Sequence, residues 1–386
     1  MPMRIDHIRL KNWLNFRRVD ATLGDTTYLI GPNASGKSNF LDVFRFLRTV
    51  ADTSGGGLQR AVADRGGIRK LRCLQARQDT EIRIEVRLSE GTGEDREEWF
   101  YVLGFKSEGT GRQRPMVYEE RVERNGKPIL NRPDDHDESD RERLTQSHLE
   151  QVNANLDFRA LATFFRSTTY LHLVPQLLKF ADRLSGNRLE EDPFGQGFLD
   201  GLARTSKNTR DARLRKIQQV LTKAVPQFKE LRFNRDDITG LPHMEARYVH
   251  WRPQGAWHRE DQFSDGTLRL IALLWSLLEG DSLLLLEEPE LSLNDEIVRQ
   301  IPLMIDRIKR QAKYRRQTLI TTHSEAMLNN PIDGRSILLV APTDDGSEIR
   351  GATPDELAML ANGLSPAEVL LPKARPQGVE QLGLFQ

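Results

Sequence analysis

The stretch YLIGPNASGKSNFLDVFRFL, residues 28–47, limits the fold more than any other part of the chain. An apolar run ends at Ile30, the spacing G-x-x-x-x-G-K-S follows from Gly31 to Ser38, and apolar residues recur at Phe40, Leu41, Val43, Phe44 and Leu47. Strand, loop and helix in that order are the context in which such a loop cradles phosphate. Its glycines let successive backbone N–H groups turn inward, and the helix that follows adds the positive end of its dipole. The candidate phosphate-binding residues are Gly31, Pro32, Asn33, Ala34, Ser35, Gly36, Lys37, Ser38 and Asn39. Lys37 would neutralise β- and γ-phosphate charge, and Ser38 would reach Mg²⁺. The loop alone leaves many classes of nucleotide-binding chain open.

The later part of the chain narrows them. SLLLLEEPELSLN is an apolar strand ending in Glu287 and Glu288, as expected of a buried parallel strand that delivers acids to its carboxyl edge. Glu287 would hold the metal, and Glu288 would orient or deprotonate an attacking water. In FSDGTLRLIALLWSLLEG, Ser264, Asp265 and Gly266 open an apolar helix. Taken alone they read as an N-cap, since Ser and Asp satisfy free backbone donors there. In QTLITTHSEAML, His323 directly follows another apolar strand. A lone histidine is usually structural, but one at a strand's carboxyl end in such a sheet can contact a γ-phosphate.

Charge and composition exclude other classes. Lys+Arg and Asp+Glu each number 56, so no global field would hold nucleic acid or an anionic membrane, and any such binding needs a local patch. The single cysteine, Cys73, rules out an internal disulfide and fits a reducing compartment. MPMRIDHIRLKNW has no signal-peptide core, and the apolar stretches near Leu270–Leu278 and Leu283–Leu286 are too short to span a bilayer. The expectation is a cytoplasmic protein with no membrane partner.

Taken together, the motifs resemble the ABC-type ATPase heads of the SMC, RecF and OLD families. The resemblance runs in order through the P-loop at 31–38, a signature FSDGT at 263–267, a Walker B run LLLLEE at 283–288, a D-loop PELSLN at 289–294 and a switch histidine TTHS at 321–324. LKNWLNFRRVD also looks like the opening strand of these heads, with Asn15 and Phe16 at the place of a frequent N-F pair. The resemblance implies an α/β P-loop NTPase fold with an antiparallel β meander and a helical lobe, and ATP and Mg²⁺ as cofactors. It further implies a homodimer that sandwiches ATP, so that Ser264, Asp265 and Gly266 touch the nucleotide of the other subunit. Glu288 is then the catalytic base and His323 the γ-phosphate sensor. Gln176, in TTYLHLVPQLLK, is the first candidate for the Q-loop residue at nucleotide and metal, beside Ser38 and Glu287 as metal ligands; Gln59 is the second. Two departures from the family pattern stand out, Glu287 in place of the Walker B aspartate and Asn294 in place of the D-loop aspartate. Asp265 also replaces a common glycine.

Between P-loop and signature, TEIRIEVRLSEG, EEWFYVLGFKSEG and MVYEERVERNGKPIL alternate and read as a meander, with Asn125-Gly126 as a hairpin turn. NRPDDHDESDRER is expected to be a mobile loop. The region from about Phe198 to Val225 reads as helical, and ELRFNRDD and PHMEARYVHWRP as strands. The expected organisation is a head over 1–372, with a P-loop lobe at 1–75 and 263–372, a meander at 80–132 and a helical and strand insert at 150–262, followed by a tail at 373–386. The chain has neither long heptad runs nor a C-x-x-C hook, and the segment after His323 is short for a nuclease domain. It therefore reads as a stand-alone head like RecF or the small ATPases of bacterial anti-phage and mobile-element operons.

DNA is an expected partner through either of two cationic groups. One is Arg204, Lys207, Arg210, Arg213, Arg215, Lys216 and Lys223; the other is Arg307, Lys309, Arg310, Lys313, Arg315 and Arg316. The first reads equally as a solvated helix face, and the second more readily as one. The tail residues Gln381, Leu382, Leu384 and Phe385 resemble the short peptide by which bacterial replication and repair proteins dock on the sliding clamp; the other reading is that they fold back on the head. The leading functional expectation is an ATP-driven dimerising switch on DNA or DNA-associated proteins, in genome maintenance or phage defence. A non-catalytic ATP-binding scaffold for a separately encoded effector is the alternative, and a transporter ATPase the least favoured.

Overall fold

Alternating apolar and polar residues build the amino-terminal part of the chain into an antiparallel sheet. The computed structural model describes residues 2–109, 113–180, 195–249, 257–280, 282–312 and 315–374. Its strands are β1 (Arg4–Trp13), β2 (Phe16–Thr22), β3 (Thr26–Ile30), β4 (Ile82–Glu90), β5 (Glu97–Ser107), β6 (Pro115–Arg124), β7 (Lys127–Arg132), β8 (Thr169–Leu171), β9 (Phe228–Arg235), β10 (Pro242–Tyr248), β11 (Trp257–Arg259), β12 (Leu284–Glu287), β13 (Thr318–Thr322), β14 (Ile337–Thr343) and β15 (Gly346–Gly351). The clamp-like tail residues Gln381–Phe385 lie outside the described residues.

By contact clustering the chain divides into two compact units. One comprises Met1–Thr169, Asp281–Leu285 and Lys313–Gln386, the other Tyr170–Gly280 and Leu286–Ala312.

In the first unit, one sheet runs in the order β2-β1-β4-β5-β6-β7 and is the meander the alternation predicts. Period-2 burial selects its inner face: Ile82, Ile84, Val86 and Leu88 on β4 are buried, as are Trp99, Tyr101, Leu103 and Phe105 on β5. Asn125 and Gly126 both have positive φ, 51° and 72°, as a type I′ hairpin turn requires. The helix Lys37–Ala51 lays its apolar residues against this face: Phe46 stacks on Phe105 at 5.4 Å and meets Trp13 edge-on at 5.1 Å. In a second sheet β15, β14, β3 and β13 lie side by side in that order within this unit, with β3 parallel to both β13 and β14.

The charged stretch after β7 is not the mobile loop that its composition predicts. Asp135–Ser139 forms a short helix with a capping box from Asp134. The reason is Arg132, fully buried, whose guanidinium donates to Asp137 at 2.8 and 2.9 Å and to Glu120 at 2.9 Å. Arg132 holds the Asp137 carboxyl below the usual range, against the opposing effect of burial. Removing one partner from such a buried set costs roughly 3–5 kcal/mol, which is what anchors an otherwise solvated sequence.

The second unit packs the helices Phe198–Arg204 and Lys207–Ala224 and the sheet β11-β10-β9 around Leu214, Ile217, Leu221, Met244, Leu268, Ile271 and Trp275. No helix among the described residues is long and apolar enough to cross a membrane.

Candidate nucleotide site

The P-loop leaves β3 at the carboxyl edge of its sheet and enters the helix at Lys37. Ala34 and Gly36 take positive φ, 61° and 108°, so the turn curls its amides into an anion-binding concavity. Gly36 caps the helix without a side-chain hydrogen bond, and the first turn carries no acid. The first-turn donors are therefore not spent on a capping side chain. Lys37 is buried, 6% exposed, and its ammonium donates to the carbonyls of Gly31 at 2.9 Å and Pro32 at 3.1 Å. The buried hydroxyl of Ser35 has no hydrogen-bond partner among the described residues. Asn33, Ala34 and Ser38 are exposed, and Pro32 and Asn39 half-buried.

The two glycines are required for different reasons. A Cβ on Gly31 would stand 2.3 Å from the carbonyl of Val340 on β14. A Cβ on Gly36 would stand 2.2 Å from the amide of Asn15, at a φ that side chains avoid. Asn15 is the buttress of the loop: its amide donates to the Ser35 carbonyl at 3.0 Å and to the Ser347 hydroxyl at 2.7 Å, and its oxygen accepts from Asn39 at 2.8 Å. Trp13 donates to the Asn39 carbonyl at 2.9 Å. The N-F pair thus has a physical role at the loop, while Phe16 is buried against Phe40. Pairing of Thr322 with Ile30 brings the end of β13 level with the end of β3. His323 therefore follows at the same sheet edge as Gly31, and it is exposed.

The second unit holds the other motif residues. Glu287 ends β12 and accepts a hydrogen bond from the Tyr170 hydroxyl. Glu288 follows with a φ of 44°, a left-handed backbone rare for a side chain of this kind. Ser264 caps the helix Asp265–Leu278 by accepting from the Thr267 amide. Gly266 lies so close to the carbonyl of Ser292 that a Cβ would approach it to 2.7 Å. Asn294 caps the helix Asp295–Val298 by accepting from the Glu296 amide. The Gln176 amide donates to Asp265 at 2.9 Å, and Lys179 donates to the same carboxylate at 2.7 Å. Gln59, in the first unit, is committed to the carbonyls of Pro115 at 2.8 Å and Thr145 at 2.6 Å.

Sequence reasoning missed Tyr170, Lys179 and Ser347. Lys179 stands three residues after Gln176, one helical step, and that spacing was the available signal. The cationic groups are also partly spent. Arg210 lies over Phe233 at 3.9 Å and Arg213 over Trp275 at 5.0 Å, leaving Arg204, Lys207, Arg215, Lys216 and Lys223 exposed. In the second group Lys309 and Arg316 are buried, and Arg316 donates to the Ser282 carbonyl at 2.6 Å. Lys313 lies outside the described residues.

The residues present fit a nucleotide phosphate: a backbone concavity, an uncapped helix end, a buried lysine and an unsatisfied hydroxyl converge on one loop. With β3 and its parallel neighbours β13 and β14 behind it, this defines the class, an α/β P-loop ATPase domain. More narrowly, the chain belongs to the family described as "AAA domain, putative AbiEii toxin, Type IV TA system", whose model matches residues 27–329. No curated protein matches it. Among solved structures it is similar to an SMC head bound to the C-winged helix domain of ScpA, with 17% identity, a TM-score of 0.59, and coverage of 91% of this chain and 99% of that one. A second SMC head, with an extended coiled coil and bound to the C-terminal domain of ScpA, derived from Pyrococcus furiosus, gives 14% identity, a TM-score of 0.57, and coverage of 93% and 99%. These likenesses establish an SMC-head-like fold.

Proposed function

We propose that the chain is an ATP-binding and ATP-hydrolysing head that closes as a homodimer around two ATP molecules and opens on hydrolysis. The observation that carries this is the P-loop itself, bent into an anion nest with the Ser35 hydroxyl buried and unpartnered. The loop amides and Lys37 would bind the β- and γ-phosphates, and Lys37 would exchange carbonyl partners for phosphate oxygens. Ser38 and Glu287 would hold Mg²⁺, which, when bound, screens phosphate charge. Tyr170 orients the Glu287 carboxylate. Glu288 would take the proton of the attacking water, and His323 would donate to the γ-phosphate. Ser264 and Gly266 would meet the nucleotide of the second copy.

The solved SMC heads are bound to ScpA, and a separately encoded partner for this head belongs to the same proposal. Duplex DNA is the second proposed partner, supported by the exposed Lys207, Arg215, Lys216 and Lys223 on one helix.

Steady-state ATPase and light scattering with ATP test the reading. Glu288→Gln is expected to lower turnover about 10²- to 10⁴-fold while leaving ATP binding and ATP-dependent dimerisation in place. An unchanged rate removes Glu288 as the base.

A further inference from the structure

Asp265 poses an electrostatic problem at a helix end proposed to meet phosphate. A carboxylate at the first residue of the helix Asp265–Leu278 favours the helix dipole but repels an approaching anion. Two side chains of the short helix Pro175–Lys179 converge on it, one on each oxygen: Gln176 Nε2 on Oδ2 at 2.9 Å and Lys179 Nζ on Oδ1 at 2.7 Å. The Lys179 side chain is 15% exposed and that of Asp265 35%, so the pair is formed away from bulk water on the lysine's side. Lys179 is also the main cause holding the Asp265 carboxyl below its ordinary value, ahead of Gln176. Arg269, one turn along the same helix, also acts on this carboxylate, and its buried Nε has no hydrogen-bond partner among the described residues. Glu288 acts on Arg269 as well, so the two carboxylates, the ammonium and the guanidinium sum to no net charge, and without Lys179 the balance is negative.

We infer that Lys179 is a positioning residue for head closure: by occupying and neutralising Asp265 it lets the amino end of this helix accept the phosphates of a nucleotide held on a second copy. The inference rests on the reading that two heads close around ATP, and it deepens that reading by naming the residue that makes an acidic signature compatible with it. Lys179 acts through Asp265 and need not itself touch the nucleotide.

The test uses the full chain carrying Glu288→Gln, with ATP and Mg²⁺, reading dimer formation by light scattering and nucleotide binding to the monomer by a fluorescent ATP analogue. Lys179→Ala and Lys179→Gln are expected to weaken ATP-dependent dimerisation at least about tenfold while leaving monomer affinity unchanged, because a bare carboxylate then faces phosphate. Lys179→Arg should retain dimerisation. Asp265→Asn combined with Lys179→Ala should restore it, which loss of a merely structural tie would not do. Thermal melting of each variant shows that it is folded. The inference is overturned if Lys179→Ala and Lys179→Gln dimerise like the parent, or if the double substitution does not recover. A parent that stays monomeric with ATP overturns the closure reading, and this inference with it.

Discussion

Two helix amino ends proposed to meet phosphate are built in opposite ways. At the helix Lys37–Ala51 the cap is a glycine in the left-handed region, no side chain bonds the first-turn amides, and no acid is present. At the helix Asp265–Leu278 a serine caps the Thr267 amide and an aspartate occupies the first turn, held by Gln176 and Lys179. The first end keeps its donors clear of side-chain caps; the second closes on its own side chains. A phosphate bound at the first would exchange with the lysine's contacts to the carbonyls of Gly31 and Pro32, whereas at the second the proposal has the anion met by an already neutralised carboxylate. This fits a division in which one end captures nucleotide alone and the other completes the site only in an assembly.

The sharpest way to break the contrast is Lys37→Ala. It should lower ATP affinity on the order of 100-fold, measured by calorimetry, because a charge-assisted contact to phosphate is lost from a buried site. Asn15→Ala should act less strongly and on two readouts. Leaving the Ser35 carbonyl and Asn39 amide without their partner should cost roughly 1–3 kcal/mol of stability and weaken ATP binding about tenfold. Ser35→Ala should have the smallest effect. Since its hydroxyl is buried without a partner, the melting temperature without nucleotide should stay level or rise slightly, while ATP affinity falls by about 0.5–1.5 kcal/mol. A marked loss of stability without nucleotide would show that the first end is as self-satisfied as the second, and the contrast would fail.

Local spacing made the first end readable from sequence. The P-loop, its helix, the meander and the Asn125-Gly126 turn all follow from rules that span a few residues, and the capping role of Ser264 does too. What was not readable depends on partners far along the chain. Asp137 looks like part of a solvated acidic run until Arg132 and Glu120 bury it. Arg210 and Arg213 look like surface cations until they lie over Phe233 and Trp275. Gln176 has the expected place after β8, but its amide meets a signature aspartate 89 residues away, a pairing no local pattern encodes.

The position of β3 has a consequence for how the chain acquires its fold. Both neighbours of β3 in the sheet, β13 and β14, are synthesised long after it, and the Gln317 side chain bonds the backbone of Ile5 across 312 residues. Contacts of such long sequence separation form slowly, because loop-closure entropy is lost before they can form. On the ribosome the meander can assemble early from β4 to β7, while the P-loop strand waits without either flanking strand until β14 has emerged. The sheet around the P-loop strand is thereby completed only after β14 has been made.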